Sequence, residues 1–443
     1  MSLAQRISLE DEARAQLRLA RKWDDLLTRA RAMPGFESFL MPLQCSNIMK
    51  HLPESGPIVV INMDARRCDA LALLAGLDEP LHIPLPEFSI EKAAKYRALL
   101  NSQLRIRNLR VREVKANASD IDGGAMPRGV RLASAGNRSG DSAVHRVLRR
   151  LWEEVVKPIL DALGYSKIDR ATGHILPRIW WCPTGVLTFL PLHAAGIYQG
   201  PNSECIFDYV VSSYTPTVSA VTDRVKNDSS IDAKASGLFL TSQPIVPGAS
   251  SIPGTTKEVQ SISERAKNNG IRVQKLVGDE MSVDGCLEHM QKFSCIHLAC
   301  HGSQNAAEPL QSRFLFHQGS LELGTILKSN LKNADLAFLS ACQTSTGEEK
   351  LSDEAVHLAA GMLAAGYRRV VGTMWSIGDQ PAQDVGVKFY EYMFSRMKRT
   401  GGVAFDGTHS AYALHEATQQ LRLSLDDSEG SLLTWVPFVH FGY

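Results

Sequence analysis

Two short stretches of the chain carry residues that together could attack an acyl carbon. LAFLSAC, residues 336–342, ends on Cys342, and CIHLACHG, residues 295–302, ends on His301 followed by Gly302. Thiolate is the competent nucleophile, whereas a free cysteine at neutral pH is mostly thiol. A neighbouring imidazole that accepts the proton, or pairs with the thiolate, makes Cys342 usable. The oxyanion formed on attack then needs N–H donors. Gly302 lets backbone approach a substrate closely, and the amide of Cys342 is the natural second donor. Base, nucleophile and oxyanion hole would thus come from two strand ends. The competing reading is that Cys342 and His301 are two buried strand-end residues without chemistry, since buried free cysteines are common.

Other pairings inside the same stretches fail on geometry. His297 and His301 share i,i+4 spacing, which on a helix would suit a metal. On a strand four residues span about 13 Å, too far for one ion. Cys300 adjoins His301, but neighbouring strand residues point to opposite faces and cannot form a dyad. Cys295 reads as buried at the strand start, and His297 as a core histidine or a support behind the site.

Both stretches are short apolar runs bounded by turn residues, the pattern of buried strands that deliver residues to the binding edge of an open α/β sheet. From 237 onward strands and helices alternate: strands at 237–244, 272–277, 295–302, 336–342 and 368–375, with helices at 255–268, 282–291, 354–366, 381–397 and 409–424. A hairpin is expected around Gly319. That alternation implies crossover units and a mainly parallel sheet flanked by helices. Upstream, RIWWCP, VLTFLPL and YVVSSYTP (within 178–216) read as antiparallel strands, preceded by a helix at 142–163.

The N-terminal part has a different pattern. Residues 8–32 form an amphipathic helix stopped by Pro34-Gly35. IVVINM, CDALALL and LHIPLP then suggest a small β unit, before a helix from about Ser89 to Leu109. Residues 116–141 are poor in large apolar side chains and read as a mobile linker. The expected organisation is an N-terminal helical and β region (1–115), that linker, and a domain over 142–443 with its α/β core at about 236–443. No internal repeat is visible.

Composition narrows the function further. With 443 residues the chain can hold two or three domains, and 48 Lys and Arg against 47 Asp and Glu leave a net charge of +1. No electrostatic case exists for nucleic acid or an acidic membrane. No eighteen-residue apolar run appears, and the N-terminus lacks a signal-peptide h-region. The eight cysteines lack paired spacing, which fits a reducing compartment and a cytoplasmic location, with the nucleus as second option.

CIHLACHG, the run ADLAFLSACQTSTGEEKLSDEAVHLAAGMLAAGYRRVVGTMWSIGD (334–379) and the closing WVPFVHFGY closely resemble the CHAT domain, a member of the caspase–separase group of cysteine peptidases. The likeness extends back through RIWWCPTGVLTFLPLHAAG (178–196) and SIPGTTKEVQ (251–260), to cover about 140–443. The segment with KWDDLLTRARAMPGFESFL resembles what precedes the domain in fungal relatives, which often carry tetratricopeptide repeats further upstream; this chain is expected to be a short or truncated member. The resemblance implies a caspase-like fold, with His301 as general base, Cys342 as nucleophile, and the Gly302 and Cys342 amides as oxyanion hole. Asp379 matches an acidic position that in separase-like relatives receives a basic P1 side chain; Asp379-Gln380-Pro381 equally reads as a helix start. Trp375 would wall that pocket or belong to the core, and Asp353 and Glu354 read as helix caps.

The implied activity is cysteine endopeptidase cleavage of an intracellular protein, after a basic residue, without metal or organic cofactor. A regulatory protein partner would bind through the N-terminal region. The alternative is an inactive CHAT module acting as an interaction scaffold.

Overall fold

The computed structural model describes residues 3–37, 39–41, 44–107, 109, 142–168, 175–201, 203–227, 231–305, 308–340, 358–400 and 404–443. Cys342, Asp353, Glu354 and the expected linker at 116–141 lie outside the described residues. The chain divides into two compact units, Met1–Ile48 and Met49–Tyr443. The first is dominated by a 29-residue helix, Leu3–Arg31, whose last turn carries Arg29 and Arg31 where cations suit the helix dipole.

The second unit is built on strands β1 (Ile58–Met63), β2 (Cys68–Leu73), β3 (Leu81–Pro84), β4 (Arg178–Pro183), β5 (Gly196–Ile197), β6 (Glu204–Cys205), β7 (Val211–Tyr214) and β8 (Leu238–Ser242). They are followed by β9 (Val273–Val277), β10 (Cys295–Ala299), β11 (His301–Ser303), β12 (Arg313–Phe316), β13 (Gly319–Glu322), β14 (Leu336–Leu339), β15 (Arg369–Thr373) and β16 (Phe438–Gly442). Eleven of them form one sheet in the order β3-β2-β1-β4-β7-β16-β15-β14-β10-β8-β9. Pairing is antiparallel at β1–β2, β2–β3 and β15–β16. It is parallel at the remaining contacts. Strands β8, β10, β14, β15 and β16 are buried at every position. That is why they read as continuous apolar runs: helices cover both faces of a parallel sheet.

The C-terminal strand β16 sits mid-sheet, between β7 and β15, and so joins the strands of residues 58–214 to those of 238–373. The seam demands close approach. Gly442 has φ +86, and a Cβ there would lie 2.2 Å from the Arg368 carbonyl oxygen. Trp180 Nε1–H donates to the Gly442 carbonyl at 2.7 Å, which ties β4 to the seam.

Residues 178–216 depart from the expected antiparallel strands. β4 and β7 run parallel, with Arg178 opposite Val211 and Trp181 opposite Tyr214. VLTFLPL is no strand: the chain turns through 3₁₀ segments Gly185–Phe189 and Leu192–Ala194. Pro183 and Pro191 remove ladder donors and Gly185 adopts φ +55, so the apolar run is buried as a crossover. The helix expected at 142–163 exists with one interruption. It is α-helical at Ala143–Leu151 and Lys157–Ala162, and the turn Trp152–Val156 between them is π-helical.

Candidate active site

The strand pair expected to carry the dyad is present and parallel. β10 lies beside β14, with Cys295 opposite Leu336 and Leu298 opposite Leu339. His301, however, is not part of β10. The chain bends at Cys300, and His301 opens β11, which pairs with β12 in a separate three-stranded sheet, His301 opposite Leu315 and Gly302 opposite Phe314. The bend lets the histidine leave the large sheet at its C-terminal edge while a second ladder fixes its backbone.

His301 is 2% exposed, and its Nε2–H donates to the Ser250 carbonyl at 2.8 Å. A carbonyl only accepts, so in the neutral ring the proton sits on Nε2 and Nδ1 is the basic nitrogen. Ser250 belongs to the segment between β8 and the helix Gly254–Asn268. That segment folds back on itself through Ile252 N–H to the Pro244 carbonyl, 2.9 Å.

The same segment also meets Asp379. Gly254, four residues after Ser250, donates its N–H to Asp379 Oδ2 at 3.2 Å. The approach needs glycine: a Cβ at Gly254 would lie 2.7 Å from Asp379 Cβ. Asp379 is half-buried and is the first residue of the helix Asp379–Thr400. Its carboxylate thus meets the N-terminus of a second helix, where negative charge is favoured. Trp375 is 1% exposed, and its Nε1–H donates to the Leu433 carbonyl at 2.9 Å. Gly302 is half-buried at the edge beside His301.

Sequence reasoning did not find the Ser250 carbonyl, because a main-chain acceptor leaves no residue-type signal. It also missed Glu258 and Ser340. Glu258 is wholly buried, its Oε1 accepts from Ser340 Oγ–H at 2.7 Å, and it lies 3.2 Å from His297 Nε2. His297 is itself fully buried and stacked on Phe338, ring centroids 4.8 Å apart. It is a core residue behind the site edge.

Three buried thiols among the described residues are chemically quiet. Burial pushes Cys182 up to about 11 and Cys286 up to about 12, and raises Cys295 well above the usual thiol range. Such groups stay protonated at neutral pH and are poor nucleophiles. Cys45 is exposed, in the N-terminal unit. Among the described residues no three His, Cys, Asp or Glu side chains gather as a metal would require, and no helix is long and apolar enough to cross a membrane.

A family model described as the CHAT domain matches residues 145–443. Among solved structures, two crystal structures of the Saccharomyces cerevisiae separase–securin complex superpose with TM-scores of 0.51 and 0.50 at 12% identity, each over 90% of this chain. This chain spans only 30% and 31% of those separase chains. The Arg-specific cysteine proteinase gingipain R matches over 68% of this chain and 66% of its own, with a TM-score of 0.44 and 10% identity. No curated protein matches the chain. The large, mainly parallel sheet flanked by helices is the caspase-like fold that this chain shares with separase.

Proposed function

The chain belongs to the CHAT domain family, and on that premise we propose that it is a cysteine endopeptidase working through Cys342 and His301. The observation that carries the reading is the fixed state of His301. It stands past the end of β10 with Nε2–H committed to the Ser250 carbonyl, and β10 pairs with β14, the strand that precedes Cys342 in the chain. Leu298 and Leu339 are paired, and His301 and Cys342 each follow two intervening residues later in the chain. That both residues follow the C-terminal ends of adjacent parallel strands supports the two groups meeting at one edge.

The chemistry follows from these atoms. His301 Nδ1 accepts the proton of the Cys342 thiol, and the thiolate attacks the scissile carbonyl carbon. The carbonyl oxygen becomes an oxyanion held by the Gly302 and Cys342 amides. The tetrahedral adduct collapses as the imidazolium gives its proton to the leaving amine, which departs with the C–N electron pair. A thioester remains. Water, losing a proton to the same Nδ1, attacks it; the acid product leaves and the thiol is restored. The Ser250 carbonyl stabilises the intermediate imidazolium through Nε2–H.

Asp379 would take the ammonium or guanidinium of a basic P1 residue. Its half-buried carboxylate and its location beside the segment that orients His301 support this, although Oδ2 already accepts from Gly254. Trp375 would stand behind that pocket as a packed wall. A protein partner would bind the N-terminal region, where Leu17, Leu19, Trp23 and Leu26 are exposed on one helix.

A fluorogenic peptide library varied at P1 tests the reading. Wild-type protein should cleave after Arg or Lys, Cys342→Ala should lose roughly 10³-fold or more, and Asp379→Ala should lose the basic preference. Absence of cleavage, with no labelling of Cys342 by an electrophilic peptide, would replace the peptidase by a scaffold. Loss in Cys342→Ala alone would retain the enzyme and remove Asp379 from the pocket.

A further inference from the structure

Glu258 projects from the helix Gly254–Asn268 into the core, where it is 0% exposed. A carboxylate at such depth costs several kcal/mol of desolvation, which an apolar side chain of similar volume would not incur. Its partners lie on the two strands that lead to the proposed dyad. Ser340 follows β14, is 2% exposed, donates to Oε1 at 2.7 Å, and stands two residues before Cys342. His297 is on β10, four residues before His301, with Nε2 3.2 Å from the same oxygen. From the opposite side Gly386, on the helix Asp379–Thr400, closes over this atom: a Cβ there would lie 3.0 Å from Oε1. One carboxylate oxygen thus bonds the helix to the end of β14 and lies against His297 of β10. Ladder pairing between β10 and β14 stops at Leu339, so the Ser340–Glu258 bond is a tether beyond the last paired residue.

We propose that Glu258 is a positioning residue for the Cys342–His301 pair. Its carboxylate anchors the outgoing end of β14 through Ser340 and thereby sets the approach of the Cys342 thiol to His301. The inference rests on the dyad reading above. A tether of this kind acts on the geometry of proton transfer, in which displacements of about 1 Å cost about 10²-fold in rate. Its loss therefore lowers kcat and the thiolate fraction of Cys342, with little effect on KM.

The test is the rate of Cys342 carbamidomethylation by iodoacetamide against pH, read by peptide mapping in a Cys45→Ser background, alongside peptide kcat and KM. Compared are wild type, His301→Ala, Ser340→Ala, Glu258→Leu and Glu258→Gln. Ser340→Ala and Glu258→Leu should lower kcat by about tenfold or more and move the labelling midpoint upward, toward that of His301→Ala. Glu258→Gln keeps an acceptor for Ser340 and should restore most of both. Ser340→Ala removes a single oxygen, so it remains informative if Glu258→Leu fails to fold. A wild-type labelling profile and kcat in Ser340→Ala, with the midpoint moved in His301→Ala, would overturn the tether and keep the dyad. An unmoved midpoint in His301→Ala would instead overturn the dyad.

Discussion

Acid should loosen this protein through a histidine far from the site. His193 is wholly within the core, with Nε2–H donating to the Val436 carbonyl at 2.8 Å and Nδ1 accepting from Tyr214 O–H at 2.9 Å. The Tyr214 hydroxyl also accepts the His193 backbone N–H at 3.1 Å, so its proton is directed at the ring. Protonating Nδ1 would set two hydrogens against each other and place a charge in the interior. Burial accordingly lowers His193 from 6.5 to about 4. The folded value lies below the unfolded one, so the unfolded chain binds more protons in between. Stability is therefore complete above pH 6.5 and is lost as the pH falls toward 4. A gap of about 2.5 units at 1.36 kcal/mol each is about 3.4 kcal/mol, of which about 2 kcal/mol has gone by pH 5. His440 adds to this: burial first, then the Arg178 and Arg369 cations, hold it well below its ordinary value. The assay is urea unfolding followed by tryptophan fluorescence at several pH values from 7.5 to 5, for wild type and His193→Gln. The variant should start less stable and show a shallower decline, smaller by about 2 kcal/mol over that range. Parallel curves would mean that His193 titrates alike in both states and would refute the reasoning.

Two further outcomes follow from single contacts. Gly254→Ala places a Cβ 2.7 Å from Asp379 Cβ and strains the bond to Oδ2. With about 1.5–3 kcal/mol at stake in a hydrogen bond to a charged group, KM for basic-P1 peptides should change about tenfold or more; unchanged P1 selectivity and Tm would discard the contact. Asp335, 0% exposed, pairs with Arg369 and accepts the Gly407 N–H at the base of β15. Asp335→Ala leaves that guanidinium buried without its partner and should destabilise by about 3–5 kcal/mol, checked by chemical denaturation.

The elements nearest the site were legible because their physics is local. CIHLA, LAFL and RVVGT are mainly apolar and buried at every position, and their spacing by helical segments implies parallel order. Around His301 the residue types are written in the chain, whereas the expected single strand 295–302 is in fact β10 followed by β11 after the bend at Cys300. VLTFLPL shows the limit of that logic. An apolar run records burial, not conformation, and only the paired prolines and Gly185 mark it as a crossover. Helix 255–268 shows another. Glu258 carries no residue-type signal that it is buried, and only the packing of Ser340 and Gly386 around it shows its place.

By itself, then, the sequence determined the strands, their alternation with helices, and the residue types that could form a thiol–imidazole pair, since each depends on neighbours within a few positions. The tertiary structure decided the rest. It threaded β16 between β7 and β15, and it placed His301 on a second sheet after the bend at Cys300. It also fixed the proton on Nε2 through Ser250 and set Gly254 against Asp379. Those contacts join residues from about ten to more than 200 positions apart, and which of many apolar or polar partners meet is fixed by packing the whole sheet, to which no local pattern refers.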